Sequence, residues 1–399
     1  MGLNFGGASL KKILFIMSEK MPVPAVNGGA VEILVEALLK KNERDSKYYF
    51  TVYSPFNEEA KNISDTFNFT SFRYFKMHGA FNFIKKLFYK IFKKYYCFSN
   101  AQAGSYFNII NNALKKEKSK YDVIIIENRP EFGFYLKYKN KSNLILHLHN
   151  DFLSIDYINS YKVLNSYDNV LAVSNYIKRR VLEIDNSAHV STLYNGVQTM
   201  KLSNGFSKTK SIKEKYNISE NDTVFLFTLR RLVPEKGTSE VIDAFLQANM
   251  IGVKLLVVGI IDSTYGEEIV KIASSNPNII FTGYIPYSEL PAFYEIAHIG
   301  LVPSIWEEPF GNTIIEHLSA GNPVIVSDRG AIPEIVTNDC AIIIKYDDNF
   351  VDNLSRSLLD IAFNLERRKS MSKSSVIRYR EFDSEHFWIN FQNKIDSIS

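Results

Sequence analysis

The chain has 399 residues, 46% of them hydrophobic and 23% charged, and this length exceeds what one hydrophobic core usually organises. A formal net charge of +4 is too small on such a chain to indicate a nucleic-acid partner. The cysteines, Cys97 and Cys340, lack the spacing of a zinc site or disulfide framework, and no apolar run is long enough to span a membrane. We therefore expect a two-domain cytoplasmic protein with reduced thiols.

Short apolar runs alternate with helical patterns through the first half of the chain. Such runs are typical of parallel strands that helices bury on both faces. In a doubly wound sheet of this kind, ligands bind at the carboxyl ends of the strands, near helix N-termini. The polar segments Asn27-Gly28-Gly29 and His147–Asp151 lie at such strand ends. The predicted strands are Ile13–Met17, Phe50–Tyr53, Val123–Ile126, Leu144–Leu148 and Val170–Val173.

Residues 81–96 form a basic and aromatic segment whose apolar residues recur at helical spacing. A helix of this kind can lie on an anionic membrane surface, with its apolar face among the headgroups and its lysines near acidic lipid. An amphipathic core helix with a solvated basic face explains the same pattern. Both interpretations remain open.

A polar segment from Gln198 to Asn221 separates the two halves, and strand alternation resumes at Thr223. The fold class is therefore α/β, with two facing Rossmann-like domains, parallel sheets and a cleft between the domains. The predicted strands of the second half are Val224–Thr228, Leu255–Val258, Ile279–Phe281, Ile299–Val302 and Val324–Val326.

Two carboxylates flank a Pro-Phe-Gly breaker in this second half. Pro309 disfavours helix at Glu308, which places that residue on a loop, whereas Glu316 falls in an early turn of the helix that follows. Both side chains are then expected to point into one pocket. The alternative is that Glu316 only complements the helix dipole and Glu308 is a solvated loop charge.

Two cations, Arg231 and Lys236, follow the first buried strand of the second half in a turn that ends at Gly237. A planar guanidinium and a compact ammonium together suit a diphosphate. Combined with a helix N-terminus and two carboxylates that accept sugar hydroxyls, they predict a site for a nucleotide-diphosphate sugar.

These motifs resemble, in order and spacing, those of family 4 retaining glycosyltransferases, which have the GT-B fold. Asn27-Gly28-Gly29, His149-Asn-Asp151 and Phe382–Trp388 extend the resemblance more weakly towards the two ends of the chain. The motifs that carry it are Arg231-Leu-x-x-Glu-Lys-Gly237, Glu308-Pro-Phe-Gly-x-x-x-x-Glu316, Gly321-x-Pro-Val-Ile-x-Ser327 and Gly330-Ala-Ile-Pro-Glu334.

The resemblance implies an acceptor-binding domain over residues 10–200, a nucleotide-sugar domain over 201–375 and a C-terminal helix over 376–399 that crosses back to the first domain. It also implies site residues. Those expected to act in catalysis are Glu308, His149, Arg231 and Lys236. Those expected to bind the donor are Gly28, Gly29, Arg231, Lys236, Tyr284, Ile285, Phe310, Gly311, Asn312, Thr313 and Glu316.

By the same resemblance, the two cations neutralise the leaving diphosphate and Glu316 accepts the ribose hydroxyls. Glu308 bonds hydroxyls of the transferred sugar and lies near the charge that develops at its anomeric carbon. His149 sits beside the sugar ring, and His147, which alternates with it along one strand, is a weaker candidate. A core histidine is the alternative for His149, and a helix cap the alternative for Asp151.

The expected activity is transfer of a hexose, with retained configuration, from a UDP-linked donor to a saccharide acceptor, either free or lipid-linked, in the synthesis of cell-surface glycans such as capsule or lipopolysaccharide. No cofactor is expected. The chain contains no Asp-x-Asp, so the cations are expected to replace a metal. If residues 81–96 bind lipid, the enzyme is peripheral at the inner face of the membrane. The alternatives are a UDP-sugar epimerase of the same fold and a non-catalytic nucleotide-sugar-binding protein.

Overall fold

The computed structural model describes residues 10–76, 101–117, 120–136, 142–200 and 206–398. These residues form two compact α/β units. The first contains the described residues up to Tyr194 together with those from Trp388 onward, and the second runs from Asn195 to Phe387. The membrane-surface prediction for residues 81–96, like Cys97, lies outside the described residues.

A seven-stranded sheet of parallel strands organises the first unit, in the order β3-β2-β1-β4-β5-β6-β7. Its central strand β4 has the sequence Val-Ile-Ile-Ile-Glu and is buried along its whole length, as expected for a strand covered on both faces. The strands are β1 (Lys11–Ile16), β2 (Tyr48–Pro55), β3 (Thr70–Phe75), β4 (Val123–Glu127), β5 (Asn143–Leu148), β6 (Asn169–Ala172) and β7 (Val190–Thr192).

Helices connect these strands, as parallel pairing requires. They are α1 (Ala30–Asp45), α2 (Glu58–Ser64), α3 (Ala101–Lys116), α4 (Pro130–Tyr135), α5 (Ser160–Leu164) and α6 (Asn175–Leu182). From Trp388 onward the chain packs within this unit, where the indole of Trp388 lies 5.9 Å from the ring of Tyr48 and donates a hydrogen bond to Asp45 at 2.6 Å.

The second unit is built on a six-stranded sheet of parallel strands in the order β10-β9-β8-β11-β12-β13. Aromatic and aliphatic side chains from β8 and β9 form the middle of its core, among them Phe225 and Phe227. The strands are β8 (Thr223–Arg231), β9 (Val253–Ile260), β10 (Ile279–Gly283), β11 (Ile299–Val302), β12 (Val324–Ser327) and β13 (Ala341–Ile344).

The helices that follow or join these strands include two short 3-10 turns at Pro234–Lys236 and Arg380–Phe382. The α-helices are α7 (Phe206–Lys215), α8 (Thr238–Ala248), α9 (Thr264–Ala273), α10 (Leu290–Ile296), α11 (Asn312–Ala320), α12 (Ile332–Ile335), α13 (Phe350–Phe363), α14 (Leu365–Tyr379) and α15 (Ser384–Ser397). Within the described residues, no helix combines the length and the apolar character needed to cross a bilayer.

All ten predicted strands are present, and the structure adds β3, β7 and β13. Each of these three lies at an edge of its sheet, where a strand is covered less completely than in the centre. β7 is only three residues long and partly exposed throughout. β3 and β7 therefore lack the continuous apolar runs by which the central strands were predicted, whereas β13 has such a run, Ala-Ile-Ile-Ile, and was missed.

Candidate active site

The clearest feature of the second unit is an ion pair between two residues of the sequence motifs. Lys236 ends the 3-10 turn after β8, and Glu308 lies on the loop between β11 and α11. The ammonium lies 3.0 Å from one carboxylate oxygen of Glu308 and 2.8 Å from the other. Both side chains are partly buried, at 31% and 12% exposure, so this pair is less screened by water than a surface ion pair.

Close backbone packing brings these two loops together. A Cβ on Gly237 would lie 2.2 Å from the carbonyl oxygen of Pro303, and Gly237 has a φ of 73°, which favours glycine. The amide of Ile305 donates to the carbonyl of Glu235 at 3.0 Å. The turn carrying Lys236 is therefore fixed against the start of the Glu308 loop.

The Glu308 loop is held from its other side by the turn after β12. A Cβ on Gly330 would lie 2.3 Å from the carbonyl oxygen of Glu308, and the amide of Ala331 donates to that oxygen at 2.8 Å. The amide of Gly330 also donates to the carboxylate of Glu307 at 2.6 Å. Gly330 and Ala331 thus pack against the backbone of the loop at Glu308 and hold it in place.

Glu316, on α11, is buried among aromatic residues. The hydroxyl of Tyr294 donates to one carboxylate oxygen at 2.6 Å, and that of Tyr287 donates to the other at 3.3 Å. Burial raises the pKa of Glu316 to about 7, although the two tyrosine hydroxyls act in the opposite direction. Nothing in the sequence spacing marks these tyrosines as partners, because they come from the segment before β11.

Arg231 lies at the end of β8, with its guanidinium 2.9 Å from the carboxylate of Asp262. The arginine side chain is 56% exposed, so this pair contributes little to stability. Asp262 follows β9, the strand beside β8, and was not predicted from the sequence. Both cations proposed for the diphosphate therefore have acidic neighbours.

The breaker before α11 has the predicted form. Gly311 has a φ of 119° and precedes the first helical residues, Asn312 and Thr313. Amides in the first turn of a helix have no partner within the helix and point along its positive dipole end, so they suit an anion. Phe310 is buried and lies 6.1 Å from the ring of Phe382, which makes it a packing residue of the loop.

Tyr284 and Ile285 follow β10 and the positive-φ residue Gly283. The side chain of Tyr284 is exposed, whereas Ile285 is partly buried and packs against the core cluster that contains Tyr294. The expectation that Tyr284 and Ile285 bind the donor remains a prediction.

The first unit contains a His–Glu cluster made by Glu127, His147 and His149. Glu127 ends β4, and its pairing partner across the sheet is His147 on β5. Nε2 of His149 lies 2.8 Å from a carboxylate oxygen of Glu127, and Nδ1 of His147 lies 3.1 Å from the same oxygen. Burial alone would raise the pKa of Glu127, but the two imidazoles hold it below its usual value.

The His–Glu cluster is the group in the described part of the chain that could hold a metal ion, since its three ligand atoms lie within 4.8 Å of one another. Two imidazoles and a carboxylate are a known donor set for zinc. The same atoms are already joined by hydrogen bonds, which accounts for their position without a metal. Asp151, considered as a helix cap, instead accepts a hydrogen bond from Arg180 at 3.1 Å.

The glycine loop precedes α1 in the same unit. Gly28 and Gly29 have φ values of 72° and 98°, and a Cβ on Gly29 would lie 2.2 Å from a carboxylate oxygen of Glu32. Burial raises the pKa of Glu32 to about 7. Nearby, Arg129 and Glu19 form a buried bidentate ion pair with distances of 2.8 and 2.5 Å. Glu19 and Glu32 were not predicted.

Comparison with known proteins shows that the second unit is similar to a family of glycosyltransferases. The family model for glycosyl transferases group 1 matches residues 208–375. YtcC of Bacillus subtilis, assigned as a glycosyltransferase, is 27% identical over 82% of this chain and 77% of its own. The lipopolysaccharide 1,2-N-acetylglucosaminetransferase of Salmonella typhimurium is 23% identical over 97% of this chain and 98% of its own.

Solved structures extend the similarity to the whole fold. A glycosyltransferase from Rickettsia africae superposes with a TM-score of 0.75 at 17% identity, over 98% of this chain and 99% of the other. Anabaena HepE, in complex with UDP and glucose, gives a TM-score of 0.71 at 18% identity, over 97% and 100%. The predicted GT-B fold, an α/β architecture with two parallel sheets, is confirmed.

Proposed function

We propose that the chain moves a hexose from a nucleotide-diphosphate sugar to a saccharide acceptor with retention of configuration. The match of residues 208–375 to the family model for glycosyl transferases group 1, and the GT-B fold, support this proposal. The observation that carries this proposal is the Lys236–Glu308 pair, held between two fixed turns beside the N-terminus of α11. The second unit thereby combines a cation, Lys236, with a carboxylate that can accept hydrogen bonds from sugar hydroxyls, Glu308, and with the free amides of α11.

The reaction uses these groups to stabilise charge. The bond between the anomeric carbon and the diphosphate breaks, and its electron pair stays on the diphosphate oxygen, where Lys236, Arg231 and the α11 amides balance the added charge. An acceptor hydroxyl bonds to the anomeric carbon from the side that the diphosphate leaves. Its proton passes to the diphosphate. Glu308 faces the positive charge that develops on the sugar and accepts a hydrogen bond from one of the sugar's hydroxyl groups.

UDP is the proposed nucleotide. Supporting this, a neighbour of the same fold, HepE, is bound to UDP and glucose. Glu316 is proposed to accept the ribose hydroxyls, and its buried position between Tyr287 and Tyr294 holds the carboxyl group in one orientation. His149 is proposed to lie beside the transferred sugar.

Synthesis of cell-surface glycans is the proposed setting. The Salmonella relative acts on lipopolysaccharide, and a Staphylococcus aureus relative serves in capsular polysaccharide biosynthesis. A lipid-linked saccharide at the inner face of the membrane is the acceptor that we propose, with residues 81–96 as the membrane contact. Flotation with anionic liposomes tests that contact, and protein remaining at the bottom of the gradient would contradict it.

No metal or other cofactor is proposed for the transfer. The chain has no Asp-x-Asp to hold a metal-bound diphosphate, and Arg231 and Lys236 supply positive charge at the same place.

The decisive experiment titrates the protein with UDP-, GDP- and ADP-sugars and follows release of the nucleoside diphosphate. Lys236→Ala and Glu308→Ala remove the proposed pair, and Lys210→Ala, which removes a 68% exposed lysine of the same unit, is the matched control. We expect turnover of a UDP-sugar that is lost in the first two variants and kept in the control.

Binding of no donor would contradict the proposal. Interconversion of the sugar without an acceptor would instead indicate the epimerase.

A further inference from the structure

A large aromatic side chain stands exposed beside the proposed catalytic pair. Trp306 is 40% exposed, although the loop that carries it is otherwise closely packed. Its indole nitrogen donates to a carboxylate oxygen of Glu308 at 2.5 Å, and the ammonium of Lys236 lies 5.2 Å from the centre of its ring. The indole is therefore bonded to both members of the pair, through a charge-assisted hydrogen bond and a cation–π contact.

Trp306 limits what Glu308 can still bind. A carboxylate has roughly four acceptor positions on its two oxygens. Lys236 contacts both oxygens, and the indole N–H contacts Oε2, so three positions are in use. The remaining position lies on Oε1. In this arrangement the carboxylate can accept about one hydrogen bond from a sugar hydroxyl, and Trp306 and Lys236 determine the direction of that bond.

The exposure of Trp306 does not come from a loose backbone. Its amide and that of the preceding Ile305 both donate to the carbonyl of Glu235, at 3.4 and 3.0 Å. Gly330 packs closely against the backbone of the same loop at Glu308. An exposed indole fixed in this way has a polar edge bonded to Glu308 and an apolar face, which is the combination that suits a hexose ring with its C–H face and hydroxyl edge.

We propose that Trp306 is a positioning and specificity-determining residue, which orients Glu308 towards one hydroxyl of the transferred hexose and so selects among hexoses that differ at that hydroxyl. This inference rests on the proposed function, because it assigns a selecting residue to the same donor site. Its distinctive consequence is that removing the indole N–H, with the ring kept, changes the choice of sugar and leaves the affinity for UDP nearly unchanged.

The test uses two substitutions and one control. Trp306→Phe keeps a ring but removes the N–H, and Trp306→Ala removes both. Trp388→Phe is the matched control, since Trp388 is buried in the first unit and is the other tryptophan of the chain. For each protein, kcat/KM is measured with UDP-glucose, UDP-galactose and UDP-N-acetylglucosamine, and Kd is measured for UDP alone.

Losing a hydrogen bond to a charged group changes an equilibrium by about tenfold or more. We therefore expect the ratio of kcat/KM between the preferred UDP-sugar and its competitors to fall about tenfold in Trp306→Phe, with UDP affinity changed less than about twofold. Trp388→Phe is expected to keep the wild-type ratio. An unchanged ratio in both Trp306 variants, or an equal loss of UDP affinity, would overturn the proposal.

Fluorescence adds a second readout. In the Trp388→Phe protein, Trp306 is the only remaining tryptophan, so its emission reports the indole directly. We expect the emission to change when the preferred UDP-sugar binds and to stay near its initial value with UDP alone. Equal changes with both ligands would contradict a role at the sugar. If no nucleotide sugar binds the wild-type protein, the proposed function itself fails, which is a separate outcome.

Discussion

Glu316→Gln is expected to change how the stability of the second unit depends on pH. Burial raises the pKa of Glu316 from 4.5 to about 7 in the folded protein, while Tyr294 and Tyr287 partly offset that effect. A carboxyl whose pKa is higher in the folded state contributes stability below its unfolded pKa and loses it as pH rises through the folded pKa. The wild-type protein should therefore lose stability between pH 4.5 and a pH above 7.

The size of this loss follows from the shift. Each pKa unit corresponds to about 1.4 kcal/mol, so the interval from 4.5 to about 7 amounts to about 3 kcal/mol. Glutamine cannot ionise, so the variant does not lose this stability as pH rises. Its side-chain amide has nearly the same size and shape as the carboxyl group that it replaces. Other titrating groups of the unit, such as His317, are present in both proteins and cancel in the difference.

Equilibrium unfolding in urea measures the effect. The Trp388→Phe background is used for both proteins, because the remaining Trp306 reports the second unit. The free energy of unfolding of Glu316→Gln minus that of the parent should rise by about 3 kcal/mol between pH 4.5 and about pH 8.5. Parallel pH profiles for the two proteins would refute the reasoning, because Glu316 would then titrate like an exposed carboxyl.

Four further outcomes are expected. Because the Glu316 carboxylate is proposed to bind ribose, UDP affinity of the wild-type protein should weaken as pH falls below about 7, as titration calorimetry would show. Gly300→Ala should lower the free energy of unfolding by about 2 kcal/mol or more, because its Cβ would lie 2.4 Å from the ring of His317. In urea unfolding, adding His317→Ala should restore part of that stability. Arg129→Met should destabilise the protein by about 3–5 kcal/mol, because it removes the bidentate cation that pairs with the buried carboxylate of Glu19, and Glu19→Gln in the same protein should recover some of that loss. EDTA should leave the initial transfer rate unchanged, whereas loss of activity restored by manganese would show that a metal is needed.

The sheets were predictable because their central strands carry continuous apolar sequences. Val123–Glu127 and Val324–Ser327 are buried along their length, and only a strand covered on both faces requires such a run. Edge strands such as Val190–Thr192 are partly exposed and short, so their sequences resemble loops. The information that defines them lies in the neighbouring strand with which they pair.

The positions of the candidate site residues in the fold were predictable only where spacing along the chain determines them. Gly311 and Glu316 lie on one loop and helix, and a local pattern therefore placed them correctly relative to each other. The contacts of Glu316 with tyrosines from the preceding segment depend on how helices α10 and α11 pack. Likewise, Glu127 meets His149 because of the register between β4 and β5, which no local pattern specifies.

The measurement that tests the central claim most directly is the identity of the product. Wild-type protein is incubated with its preferred UDP-sugar and a lipid-linked saccharide acceptor, UDP release is counted, and the new glycosidic bond is examined by NMR at the anomeric proton. The account predicts one new bond for each UDP released, with the anomeric configuration of the donor. An inverted bond, or a changed sugar that forms without any acceptor, would contradict it.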